Sequence, residues 1–174
     1  MKTYLTKLTS IGFLVTLFLF AGSVQAQSKI TDLCSKLSEN KKMTIVNISK
    51  DMMTMINGEN EGMKNLAGTV ESMRIISSEK LTPEEQADIN KIITPILNDG
   101  YKELMNISDK SEGTDVRICI KPLGEDLISE FVIYVREGKE LSLISITGKI
   151  PKSKIMELTQ LAKIKDMGIG DMVK

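Results

Sequence analysis

The sequence predicts an α+β fold: an antiparallel β-meander of about four strands, one or two further strands, and helices packed mainly on one face. Three observations predict it. Apolar residues recur at helical spacing through much of the first part of the chain and alternate with polar ones through the second. Short polar links carrying Gly113, Gly124 and Gly138 join the alternating runs, which suits hairpins. Between the two parts lies a helix start with a complete set of cap residues.

Residues 1–26 read as a cleavable export signal. Lys2 and Lys7 precede the apolar run Ile11–Ala21, and Val24 and Ala26 supply small side chains before a cut that leaves Gln27 first. A membrane-spanning helix needs about 20 apolar residues, so this run is too short to be one. Residues 27–174 are then expected to form a single α+β domain, with 165–174 a frayed tail.

Ser28 to Glu39 reads as a helix, with Ile30, Leu33, Cys34 and Leu37 on one face. Met43 to Ile48 reads as a strand. Ser49 is an expected N-cap of a short helix burying Met52, Met53 and Ile56, ended by Asn57-Gly58. A second short helix is expected over 62–69, and a strand over 73–77. Thr82-Pro83-Glu84-Glu85 then places a threonine cap, a proline at the first helical position and a glutamate at the third. Ile89, Ile92, Ile93, Ile96 and Leu97 form its apolar stripe, Pro95 marks its last turns and Asn98-Asp99-Gly100 stops it. Four strands are expected within 101–109, 115–121, 128–136 and 141–148, and a final helix over 152–164. The simplest packing lays this last helix beside the Thr82-capped one. Phe131, Ile133 and Val135 oppose Val132 and Tyr134, so both sheet faces are apolar. The second face is then covered in part, by the N-terminal helices or by another chain.

Composition narrows the function. The full chain has 23 basic and 23 acidic side chains; the signal removes two lysines and no acid, leaving a slightly acidic domain. Nucleic-acid binding, which calls for a basic stripe, is not expected. The chain has no histidine. That excludes Ser-His-Asp and Cys-His nucleophiles, histidine zinc sites and imidazole acid–base chemistry. No catalytic, cofactor-binding or metal-ligating set is assigned. Cys34 and Cys119 are expected to remain free rather than paired, Cys34 on an apolar helix face and Cys119 within a strand.

Other candidates have plainer explanations. Met52, Met53 and Met55 are thioethers of the kind that bind Cu(I), yet most methionines sit on apolar faces as packing. Glu84 and Glu85 serve the helix start, and Glu125-Asp126 a polar hairpin loop, rather than a glycosidase pair. The stretch 57–62, with Glu59 and Glu61, lacks calcium-loop spacing. Asn47-Ile48-Ser49 and Asn106-Ile107-Ser108 fit a glycosylation pattern that is given no meaning, the first overlapping an expected buried strand.

Several stretches taken in order carry a family resemblance: Val46-Asn47-Ile48-Ser49-Lys50-Asp51-Met52-Met53, Ser72-Met73-Arg74-Ile75-Ile76-Ser77, Tyr101-Lys102-Glu103-Leu104-Met105, Glu130-Phe131-Val132-Ile133-Tyr134-Val135 and Ile144-Ser145-Ile146-Thr147-Gly148-Lys149-Ile150. The chain resembles an uncharacterised family of small envelope proteins of Gram-negative bacteria, catalogued as domain of unknown function 4252. The resemblance implies export and hints at envelope stress signalling; it brings no activity and no functional residues. The expectation is a non-catalytic periplasmic or secreted protein, a binding or accessory module that meets another envelope protein through an apolar sheet face. It has no transmembrane segment once the signal is removed, and its oligomeric state is left open. The alternatives are a periplasmic enzyme using carboxylate or lysine chemistry, and a Met/Cys metal handler.

Overall fold

The computed structural model describes residues 28–56, 66 and 68–161. The expected signal over 1–26, the stretch 57–62, most of the helix expected over 62–69 and the tail 165–174 lie outside the described residues. The elements run α1 (Lys29–Leu37), β1 (Thr44–Ser49), α2 (Lys50–Ile56), β2 (Val70–Ser78), α3 (Pro83–Asn98), β3 (Lys102–Asp109), β4 (Thr114–Leu123), β5 (Leu127–Glu137), β6 (Glu140–Pro151) and, after a 3₁₀ turn at Lys152–Lys154, α4 (Ile155–Leu161). All strand pairs are antiparallel, in the order β1-β2-β6-β5-β4-β3. Strands β3 to β6 are the expected meander, and β1 and β2 are the two further strands.

The caps are as the sequence reads. Ser28 caps α1, its Oγ accepting the Ile30 amide at 3.2 Å. Thr82 and Glu85 form a reciprocal capping box at the start of α3. Ser49 Oγ accepts the Met52 amide at 3.3 Å as α2 begins. Gly100, just past α3, has φ +82°, a conformation that favours glycine.

Two apolar layers share the sheet. On one face α1 and α3 bury Ile30, Leu33, Leu37, Ile89, Ile93 and Leu97 against Ile76, Cys119, Val132, Tyr134, Leu141 and Leu143. On the other, Met53, Leu66 and Leu158 cover Met73, Ile146, Phe131 and Ile120. The final helix therefore lies opposite α3, not beside it. Both faces of every central strand are apolar, so alternation alone does not say which helix covers which face. The expected burial of Met52 is also corrected. It is 52% exposed, because a single helix turned by Met53 into the core points the neighbouring side chain elsewhere. Asn47 is exposed on β1, an edge strand, rather than buried. Cys34 and Cys119 are free and buried in one cluster.

One close approach fixes the join of β2 and β6. A Cβ on Gly148 would stand 2.1 Å from the Thr69 carbonyl oxygen. That oxygen accepts the Lys149 amide at 2.9 Å. Only glycine lets the two backbones meet there.

Candidate functional site

Two features of the described residues stand apart from ordinary packing. The first is a buried carboxylate. Strand β5 alternates, so Glu130 shares the α1/α3 face with Val132 and Tyr134. It is 2% exposed. Ser28 Oγ lies 2.9 Å from both carboxylate oxygens. Ser145 Oγ, from β6, donates to Oε1 at 2.5 Å, and the Tyr101 hydroxyl, just before β3, donates to Oε2 at 2.5 Å. Burial pushes the Tyr101 hydroxyl well above its ordinary pKa; the Glu130 charge and the bond to it add to the shift, and Ser28 opposes it. Lys121 Nζ stands 5.6 Å from the Tyr101 ring centroid. Burial likewise raises the Cys34 and Cys119 thiols, so both behave as inert packing.

The second feature is the other sheet face. The strand registers align a row across all six strands: Val46, Ile75, Ile144, Ile133, Ile118 and Met105. Every member is apolar. The neighbouring row, Ile48, Met73, Ile146, Phe131 and Ile120, belongs to the cluster that α2, Leu66 and α4 cover. The middle of the six-strand row, Ile144, Ile133 and Ile118, is buried in the same cluster, and only its ends are less protected. Val46 and Ile75 are half-buried, and Met105 is 46% exposed. Beyond it, Val135, Val116 and Ile107 continue the apolar surface, with Ile107 51% exposed on edge strand β3. Met52, Met55 and Met156 add exposed thioethers on α2 and α4.

The acidic residues singled out in the sequence do not converge. Glu85 is held below the usual carboxylate range by Lys42 and the Thr82 amide, as a helix cap. Glu84 is exposed on α3. Glu125 and Asp126 lie in the β4–β5 turn, where their carbonyls accept from Lys152. Glu59 and Glu61 lie outside the described residues. Among the described residues no three His, Cys, Asp or Glu side chains cluster as metal ligands. Sequence reasoning missed Glu130. A partial signal was present: an acid at 130 shares its alternation with Val132 and Tyr134, which sets its face but not the covering of that face.

The model of the Domain of unknown function (DUF4252) matches residues 36–158. This chain belongs to the DUF4252 family. The matched DUF4252 segment begins in the last turn of α1 and runs to Leu158 of α4, taking in the whole sheet, Tyr101, Glu130 and Ser145. No curated protein matches the chain. Among the described residues of this DUF4252 protein, no helix is long and apolar enough to cross a membrane.

Proposed function

We propose that this DUF4252 protein is exported, loses residues 1–26, and acts in the bacterial envelope as a non-catalytic binding or accessory module. The observation that carries the reading is the apolar row Val46–Met105 with its half-open margin of Val116, Val135 and Ile107. A sheet face of this kind supplies buried area to a partner without any reactive group. The occupant is a second envelope protein presenting an apolar surface. Self-pairing through β3 is disfavoured by Lys102, Glu103 and Asp109 and by the bulge between Glu103 and Met105, which blunt an edge. Glu130 supports the same reading: its oxygens are occupied by hydroxyls beneath a helix start, an arrangement that holds structure. Envelope stress signalling is the process that the family resemblance attaches to such a module.

A photo-crosslinking residue placed at Ile107, and as control at Asp88 on the solvent face of α3, tests this in native envelope. The expected result is one discrete adduct with another protein from position 107 only, lost when Ile75→Lys is added. Equal adducts from both positions, a self-adduct alone, a lipid adduct alone or no adduct would refute the docking surface. Metal analysis of the exported protein addresses the Met/Cys alternative, where stoichiometric copper is the contrary outcome.

A further inference from the structure

The sheet has two outer edges, and they are built differently. At β3 the edge carries Lys102, Glu103 and Asp109, and a bulge interrupts its register. Such charges and irregularities keep an edge from pairing with a further strand. At β1 neither is present. Thr44–Ser49 reads Thr-Ile-Val-Asn-Ile-Ser, without a charge, a proline or a glycine, and its register with β2 runs unbroken. Among the described residues no strand pairs with its outer side. The backbone amides and carbonyls on that side are a template for one more strand. Ile45, Val46 and Ile48 are half-buried, so side chains as well as backbone remain to be covered.

We propose that the occupant is β1 of a second copy, paired antiparallel about a two-fold axis at Asn47, so that two six-stranded sheets become one. Residues directly opposite in such a pair lie on the same sheet face. An axis at Asn47 sets Val46 opposite the second copy's Ile48, and Ile48 opposite its Val46. The row Val46, Ile75, Ile144, Ile133, Ile118 and Met105 then runs on into the second copy's row Ile48, Met73, Ile146, Phe131 and Ile120. Apolar meets apolar in both directions, a match that this chain supplies to itself. Moving the axis by one residue spoils it. At Val46 the axis sets Ile48 against Thr44 and, past the strand ends, Lys50 against Lys42; at Ile48 it sets Val46 against Lys50. The axis stands perpendicular to the sheet, so α1 and α3 of both copies lie on one side. Met105 and Ile107 lie at the far edge and stay open for the docking partner. The inference goes beyond that docking role and does not depend on it.

The test is sedimentation of the purified protein over a wide range of concentration. The wild type is expected to pass from monomer to dimer as concentration rises. Asn47 is exposed, so its replacement leaves the fold intact, which thermal unfolding checks. Asn47→Lys and Asn47→Glu each set like charges face to face across the axis, and each is expected to stay a monomer. Mixed in equal amounts the two variants are expected to form a dimer again, because opposite charges then face each other. A wild type that is monomeric throughout, a dimer that neither substitution weakens, or a mixture that stays monomeric overturns the proposal. Hydrogen exchange gives a second readout that needs no variant. Amides in 44–49 are expected to exchange more slowly as the dimer forms, while those of β3 are unchanged. Slowing at β3 instead, or at neither edge, overturns the pairing. Protection of 44–49 that appears only when envelope extract is added to a monomer would assign the edge to a different protein and overturn it equally. Each of these failures leaves the adduct expected from Ile107 in place, which separates the two readings.

Discussion

A buried carboxylate depends on each of its donors, and Tyr101 is the donor that can be removed with least change of shape. Tyr101→Phe deletes the hydroxyl that reaches Glu130 Oε2 and keeps the ring beneath Lys121. Hydrogen bonds to charged groups are worth about 1.5–3 kcal/mol, and a loss of that size is expected in denaturant unfolding. A loss below about 0.5 kcal/mol, the range of ordinary surface substitutions, would show that water replaces the hydroxyl and that the site is open. Gly148 makes a different prediction at the same scale. Gly148→Ala drives a methyl into the Thr69 carbonyl, backbone against backbone. Overpacking of this kind typically costs about 1–3 kcal/mol, and the upper end or more is expected because neither partner is a flexible side chain. Periodicity made the core leucines and isoleucines legible. It did not reveal Glu130, because an acid within an apolar strand reads as the polar half of an alternation. Its burial follows from both faces being covered, a property of the whole sheet.

The elements were more legible than the contacts between them. Thr82, Pro83 and Glu85 specify the start of α3 through local bonds alone, and those bonds are present. Thr82→Ala is therefore expected to cost about 1 kcal/mol, measured by thermal or chemical unfolding. The pH dependence of the same box has a definite sign. Lys42 and the Thr82 amide lower the Glu85 pKa, so its contribution is present above the unfolded carboxyl value of about 4.3 and is lost as pH falls through the lower folded value. The difference in melting temperature between wild type and Glu85→Gln should be largest near neutrality and close as pH drops below about 4. A difference that persists in acid would mean that the glutamate acts through shape rather than charge. The final helix shows where local reading stops. Ile155 and Leu158 specify that α4 has an apolar side; which sheet face receives it is set by the chain path from β6. Met52 shows the same boundary, since a seven-residue helix at a sheet margin buries Met53 and leaves its neighbours in water.

At the scale of the whole molecule, the sheet is one wall of two cores. Phe131 and Val132 are adjacent in β5, yet Phe131 belongs to the layer under α2 and α4 and Val132 to the layer under α1 and α3. Losing either layer bares one side of the same strands, so the two cores should not unfold independently. Phe131→Ala is expected to cost about 3–5 kcal/mol and Leu33→Ala about 2–5 kcal/mol, each a large share of the 5–15 kcal/mol typical of a native domain. Both should shift the urea midpoint while leaving one transition and an unchanged slope. Ile107→Ala lies on the same sheet, on its half-open margin, and should change the unfolding free energy by no more than about 0.5 kcal/mol. That contrast separates the apolar residues that hold the fold from those the proposed partner would cover. A two-step transition in Leu33→Ala would mean that α1 and α3 form a separable layer and that the sheet stands without them. A large loss in Ile107→Ala would place that margin in the core and remove the surface on which the docking role depends.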